Sequence, residues 1–187
     1  MDVKELLERY NNGERNFVGI YLRSKDLRGE NLSSANFSNS FLRNSDFYGG
    51  NLTKTIFRGA DLQNTNFDLA ILNEADLSNT NLSESSFRSA SLKQANLSGC
   101  GMVEGSFENA DLEGANLDNS VIVDTTWDDA NIHDISYENA LIDNSSGLPT
   151  FERTNEYKPN KPSEQILVEY YQAGQRYFTG MCTDMLT

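Results

Sequence analysis

Two cysteines, three prolines, one histidine and one tryptophan are all that 187 residues contain of those four types. Two thiols, Cys100 and Cys182, do not make a disulfide framework. A lone His133 among acids could serve a Ser-His-Asp arrangement only if loops held it in place, so it reads as solvated or locally hydrogen-bonded. No apolar run approaches about eighteen residues, and no basic segment leads into an apolar one at the start, so neither a membrane span nor a secretion signal is expected. A cytoplasmic location follows by default. Basic residues are scarce as well: 15 Lys and Arg face 28 Asp and Glu, for a formal net charge of −13. The shortfall is local. Residues 14–99 hold nine basic and nine acidic side chains, whereas residues 100–145 hold no basic and eleven acidic ones. Direct nucleic-acid binding is excluded by that balance, because phosphate contacts need a basic footprint. There is no glycine-rich phosphate loop, and Asp124, Asp128, Asp129 and Asp134 lack the spacing and the glycine of an EF-hand loop. No cofactor and no metal are expected.

What the chain has instead is a period. Every fifth residue from Phe17 to Ile142 is a large apolar side chain, 26 positions with no slip in register. Two residues before the centre, all twenty positions from Ala35 to Ala130 are Ala, Ser, Thr, Gly or Cys. A helix repeats every ~3.6 residues and a strand every ~2, so a strict period of five serves neither. A short fixed repeat means a solenoid, in which each unit buries its apolar residue only by stacking on the next coil.

The unit reads Ala/Ser/Thr, Asp/Asn, Leu/Phe and two further residues, as in Ala60-Asp61-Leu62-Gln63-Asn64, Ala75-Asp76-Leu77-Ser78-Asn79 and Ala115-Asn116-Leu117-Asp118-Asn119. This motif resembles that of the pentapeptide-repeat family over about residues 15–144, and the uninterrupted repeat is similar to that of cyanobacterial-type members. The resemblance implies a right-handed quadrilateral β-helix with four pentapeptides in each square coil. The expected fold class is an all-β solenoid, a β-helix of about 6.5 coils with a short α-helical N-terminal cap and a C-terminal helix.

Coil size is also readable without the family. Among aromatic residues at the centres, six pairs lie twenty residues apart, four lie ten apart, and none lies five or fifteen apart. A twenty-residue coil stacks Phe47, Phe67, Phe87, Phe107 and Trp127 in one column, and Phe17, Phe37 and Phe57 in another. The other two columns are almost wholly Leu and Ile, for example Leu32, Leu52, Leu72, Leu92, Leu112 and Ile132. Like-on-like stacking fills a narrow core at uniform width. The position two before the centre must be small, because the interior cannot hold two bulky side chains per corner. Cys100 falls at such a position and reads as an inert core thiol. Coils at a strand spacing of ~4.8 Å would make a rod roughly 31 Å long.

An open solenoid end exposes core and strand edges, so it needs caps. Residues 1–13 read as a helical N-terminal cap, with Asp2 as N-cap and Glu5 reaching back to complete a capping box. Val3, Leu6, Leu7 and Tyr10 recur at helical spacing, and Asn11-Asn12-Gly13 ends the helix. The segment Gly-Glu-Arg-Asn-Phe at 13–17 is similar to the N-terminal cap of many cyanobacterial relatives. Residues 14–145 are the repeat, and 146–162, with Pro149, Pro159 and Pro162, read as an extended linker. Ser163 opens a helix over about 163–173, and 163–187 form a C-terminal helix and tail bearing Ile166, Leu167, Tyr170 and Tyr171.

Function must be sought on the outside. Phe41, Val121 and Leu141, just before a centre, and Val103 and Val123, just after one, fall on a single face. An apolar patch on a soluble protein usually meets something. Here the expected partner is the chain's own C-terminal helix, through Ile166, Leu167, Tyr170 and Tyr171, or a second copy in a homodimer made by the tail. Glu104, Glu108, Asp118, Asp124, Asp128, Asp129 and Asp134 form a candidate acidic surface. Family members that bind DNA gyrase are described as DNA mimics, so the resemblance admits a DNA-mimicking regulator of a topoisomerase or other DNA-binding protein. Gram-negative gyrase-protecting relatives interrupt the repeat with loops, however, and the N-terminal coils here are charge-balanced. Asp and Asn at outward positions are equally explained by solubility and local turn hydrogen bonds. The reading favoured is a non-catalytic scaffold that engages a protein partner, as a monomer or homodimer. A DNA mimic is the alternative, and an enzyme a poorly supported third.

Overall fold

The computed structural model of the chain describes residues 1–143 and 145–147. Most of the expected linker, the helix starting at Ser163, and the tail residues Ile166, Leu167, Tyr170, Tyr171 and Cys182 lie outside the described residues.

Each pentad is a short bridge followed by a turn. Writing the central apolar residue as i, the residue at i+2 has positive φ in all twenty-five pentads from Gly19 to Asn139, with values of 50° to 70°. This is the signature of a type II turn, closed where the N–H of residue i+3 donates to the carbonyl of i, as from Ala90 to Phe87 at 3.0 Å. Gly, Asn or Asp occupies sixteen of these positions. Those residues tolerate the left-handed region because Cβ is absent or a short polar side chain bonds locally. Leu69, at φ 59°, has neither advantage.

The Asp or Asn at i−1 holds the turn from outside. Its Oδ1 accepts the N–H of residue i+1 in thirteen pentads, from Asp26–Arg28 at 3.2 Å to Asn131–His133 at 3.2 Å. The small residue at i−2 holds it from inside. Ser45 Oγ donates to Leu22 O at 2.6 Å, Ser85 Oγ to Leu62 O at 2.7 Å and Thr125 Oγ1 to Met102 O at 2.9 Å. Buried hydroxyls are therefore satisfied, which is why Ser and Thr can substitute for Ala there.

Successive coils are joined in parallel with a register of twenty residues, from Asn16↔Asn36 to Thr126↔Ser146. Three-residue strands β1 (Gly101–Val103), β2 (Val121–Val123) and β3 (Leu141–Asp143) continue that register as Gly101↔Val121↔Leu141. The centres point inward, and those from Phe17 to Trp127 are all buried. Aromatic columns form as the twenty-residue spacing predicts: Phe67–Phe87 at 4.8 Å, Phe87–Phe107 at 4.7 Å and Phe107–Trp127 at 4.3 Å, with planes within 11° of parallel. Phe47 and Phe57, from different columns, meet edge-on at 6.0 Å and 74°.

Helix α1 (Val3–Asn11) closes the N-terminal end. Asp2 Oδ1 accepts the Glu5 N–H at 2.8 Å, as a cap should. The Glu5 carboxylate does not complete the box; it lies 3.5 Å from the Arg9 guanidinium, one turn on, where a cation is available. Leu6 and Tyr10 are buried on the first coil, and the Tyr10 hydroxyl donates to Ser33 O at 2.9 Å. Arg15 stacks over the Tyr10 ring at 3.7 Å. At the other end Ile132 and Ile142 are only half-buried and Tyr137 is exposed.

Two substitutions test this account by denaturant unfolding. Phe87→Ala, in the middle of the aromatic column, is expected to cost about 3–5 kcal/mol. Leu69→Asn, which removes a branched side chain from a left-handed position, is expected to gain about 0.5–1 kcal/mol.

Candidate functional site

The five expected patch residues do share one face, the second, whose inward column runs Leu22, Leu42, Leu62, Leu82, Met102, Ile122 and Ile142. The row before these centres reads Tyr21, Phe41, Asp61, Asn81, Gly101, Val121, Leu141, and the row after them Arg23, Arg43, Gln63, Ser83, Val103, Val123, Asp143. Its two ends differ. At the N-terminal end the Tyr21 and Phe41 rings stack at 4.4 Å and 12°. The Arg23 guanidinium lies 6.0 Å from the Phe41 ring centroid, and both Arg23 and Arg43 reach Asp61, at 3.7 and 3.5 Å. Tyr21 is 65 % exposed and Phe41 half-buried. At the C-terminal end Val103, Val121 and Val123 are buried and Leu141 is half-buried.

Tyr21 was missed from sequence, although the same arithmetic reaches it: it lies twenty residues before Phe41 in the same row. Val18, Tyr48, Leu69 and Ile71 are further exposed apolar side chains, placed on other faces.

The acidic residues have local work as well as charge. Asp118 Oδ1 accepts from Ser136 Oγ at 2.5 Å and from the Glu138 N–H at 2.7 Å. Glu108 Oε1 lies 3.4 Å from Arg88 Nη2 and from Thr126 Oγ1. Asp128 accepts from Ser146 Oγ at 3.3 Å, and Asp134 lies 3.0 Å from His133 Nδ1. Glu104, Asp124 and Asp129 sit at left-handed turn positions and are exposed. His133 and Asp134 are both exposed, and the His133 N–H donates to Asn131 Oδ1 at 3.2 Å. Among the described residues no group of His, Cys, Asp and Glu could hold a metal ion, and no helix is long and apolar enough to cross a membrane.

Cys100 is buried, its Sγ donating to Leu77 O at 2.9 Å, with Thr80 Oγ1 at 3.1 Å. Burial pushes its pKa up to about 11. At neutral pH this thiol is protonated and shielded, which makes it unreactive.

Geometry of this kind defines a class: a repeat protein, a solenoid of parallel coils of twenty residues. The chain belongs to the pentapeptide-repeat family. A model of the pentapeptide repeat region matches residues 51–127, and one of pentapeptide repeats (8 copies) matches residues 16–53 and 31–68. No curated protein matches the chain. Similar solved structures include the pentapeptide repeat protein Rfr23 from the cyanobacterium Cyanothece 51142, with 24 % identity, a TM-score of 0.41, and coverage of 76 % of this chain and 97 % of that one. QnrB1, a plasmid-mediated fluoroquinolone resistance protein, is 17 % identical with a TM-score of 0.46, over 85 % of this chain and 99 % of its own. HetL, involved in heterocyst differentiation regulation in Nostoc sp. strain PCC 7120, is 22 % identical with a TM-score of 0.24, over 78 % and 94 %.

The buried thiol has a consequence at alkaline pH. An unfolded chain releases its proton near pH 9 and the native chain near pH 11, so native stability falls as pH rises between those values. The slope is at most about 1.4 kcal/mol per pH unit for one group. Comparing urea unfolding of the wild type with Cys100→Ser across this window should show a steeper loss in the wild type. Serine supplies the hydroxyl that other coils already use.

Proposed function

We propose that the protein is a non-catalytic scaffold, a right-handed rod of about 6.5 coils that binds another protein in the cytoplasm. The observation that carries this reading is the exposed Tyr21–Phe41 stack beside Arg23. Aromatic and arginine side chains dominate binding hot spots, because they bury much area for little conformational entropy. The coils beneath are held by ladder and turn hydrogen bonds, so the stack is presented without an ordering cost. A partner is expected to bring an apolar surface with a carboxylate for Arg23.

A second reading has its own observation. Eleven acidic and no basic residues between 100 and 145 make one end of the rod strongly negative. Such a surface suits a DNA mimic that occupies the basic site of a topoisomerase or other DNA-binding protein. The scaffold is preferred because Glu108, Asp118 and Asp128 are engaged in coil-to-coil bonds and because the N-terminal coils are charge-balanced.

Affinity capture from lysate of the source organism, followed by titration of the captured partner, separates the two. Tyr21→Ala with Phe41→Ala is expected to weaken the partner about thirtyfold or more while circular dichroism is unchanged. A gyrase supercoiling assay is expected to show no inhibition and no drug protection at micromolar protein. Inhibition that survives both alanine substitutions and is abolished by salt would establish the mimic instead.

A further inference from the structure

The second face is closed where it should be open. Asn81, Ser83, Val103, Val121 and Val123 are 8, 0, 6, 2 and 1 % exposed, against 65 % for Tyr21 at the start of the same face and 44 % for Ile71 at the equivalent position of another face. Side chains adjacent to an inward centre project from the opposite surface of a strand, and on the other faces all but Ser78 are half-buried or exposed. Among the described residues α1 is the single element outside the coils, and it closes the N-terminal end. We propose that the C-terminal segment, residues 148–187, folds back along its own rod and covers this stretch, laying Ile166, Leu167, Tyr170 and Tyr171 on Val103, Val121 and Val123.

Reach and shape both suit that occupant. The last described bridge is Thr126↔Ser146, one corner beyond Val123, so the described residues end beside the face the segment would cover. Three coil steps separate the rows of Leu141 and Asn81, roughly 14 Å at strand spacing. A helix over the eleven residues 163–173 spans about 16 Å, a close match. Its apolar stripe needs a partner surface as much as the valines need a cover. This inference is independent of the reading of Tyr21 and Phe41.

Thiol accessibility in the full-length chain tests it. Val103→Cys and, separately, Tyr21→Cys are placed in a Cys182→Ser background, where Cys100 stays unreactive, and labelled with a maleimide. Position 103 is expected to label at least about tenfold more slowly than position 21. Adding Leu167→Asp and Tyr170→Asp should raise the rate at 103 by about the same factor and leave position 21 unchanged. Rates should not depend on protein concentration. Equal labelling at both positions, or slow labelling at 103 that ignores the tail substitutions, would overturn the proposal. Protection lost on dilution would overturn it too, in favour of a second copy as the cover. Val123→Cys serves as the second probe if Val103→Cys does not fold, and dissociation of any bound protein leaves this readout unaffected.

Discussion

Everything in this molecule depends on a turn that recurs at every fifth residue and forces one left-handed backbone conformation each time. Five residues allow one bridge and one turn, which leaves a single large side chain per side to point inward. The interior is therefore only as wide as facing Leu or Phe side chains can fill, and it cannot be widened by mutation at one coil without a step against its neighbours. The outward Asp or Asn accepts the turn's N–H, and the inward Ser or Thr donates to a carbonyl of the preceding coil. Both polar positions are thus consequences of the turn. The nine residues other than Gly, Asn or Asp at left-handed positions, Leu69 and Glu84 among them, show that stacking outweighs a local preference of roughly 1–2 kcal/mol.

Because each coil contacts only the next, stability is a chain of nearest-neighbour terms with two special ends. Helix α1 solves the N-terminal end by setting Leu6 and Tyr10 on the first coil and locking the junction with the Tyr10–Ser33 and Arg15–Tyr10 contacts. Surface ion pairs such as Lys54–Glu74 and Arg88–Glu108 run between coils, but they are solvated and each adds little. Charge is better understood as a property of regions: balanced over residues 14–99 and acidic over 100–145.

Family membership explains the interior and leaves the exterior free. The motif is demanded by the core whatever the surface does, so residues that could distinguish one member's partner from another's are those at i−1, i+1 and i+2 that break the polar rule. On this chain the second face carries a row of such exceptions, with aromatic rings and arginines at one end and valines at the other, while Val18, Tyr48, Leu69 and Ile71 break the rule singly elsewhere.

The period of five, the twenty-residue register, the aromatic columns, the small buried positions and the α1 cap were all legible in the sequence, because each is a local rule repeated until chance is excluded. The membership of the second face was legible for the same reason, and Tyr21 could have been added by counting back one coil from Phe41. How deeply each part of that face is buried was not legible. Phe41 and Val121 occupy the same row and the same phase of the repeat, yet one is half-buried at an open end and the other fully buried. Nor does spacing tell that Glu5 turns to Arg9 rather than to its own cap, or that Asp118 is engaged by Ser136 and Glu138 while Asp129 is exposed. A repeat specifies which side of the backbone a residue faces, since that is a property of five residues. How deeply it is then buried depends on its surroundings along the rod, which five residues do not encode and only the tertiary structure decides.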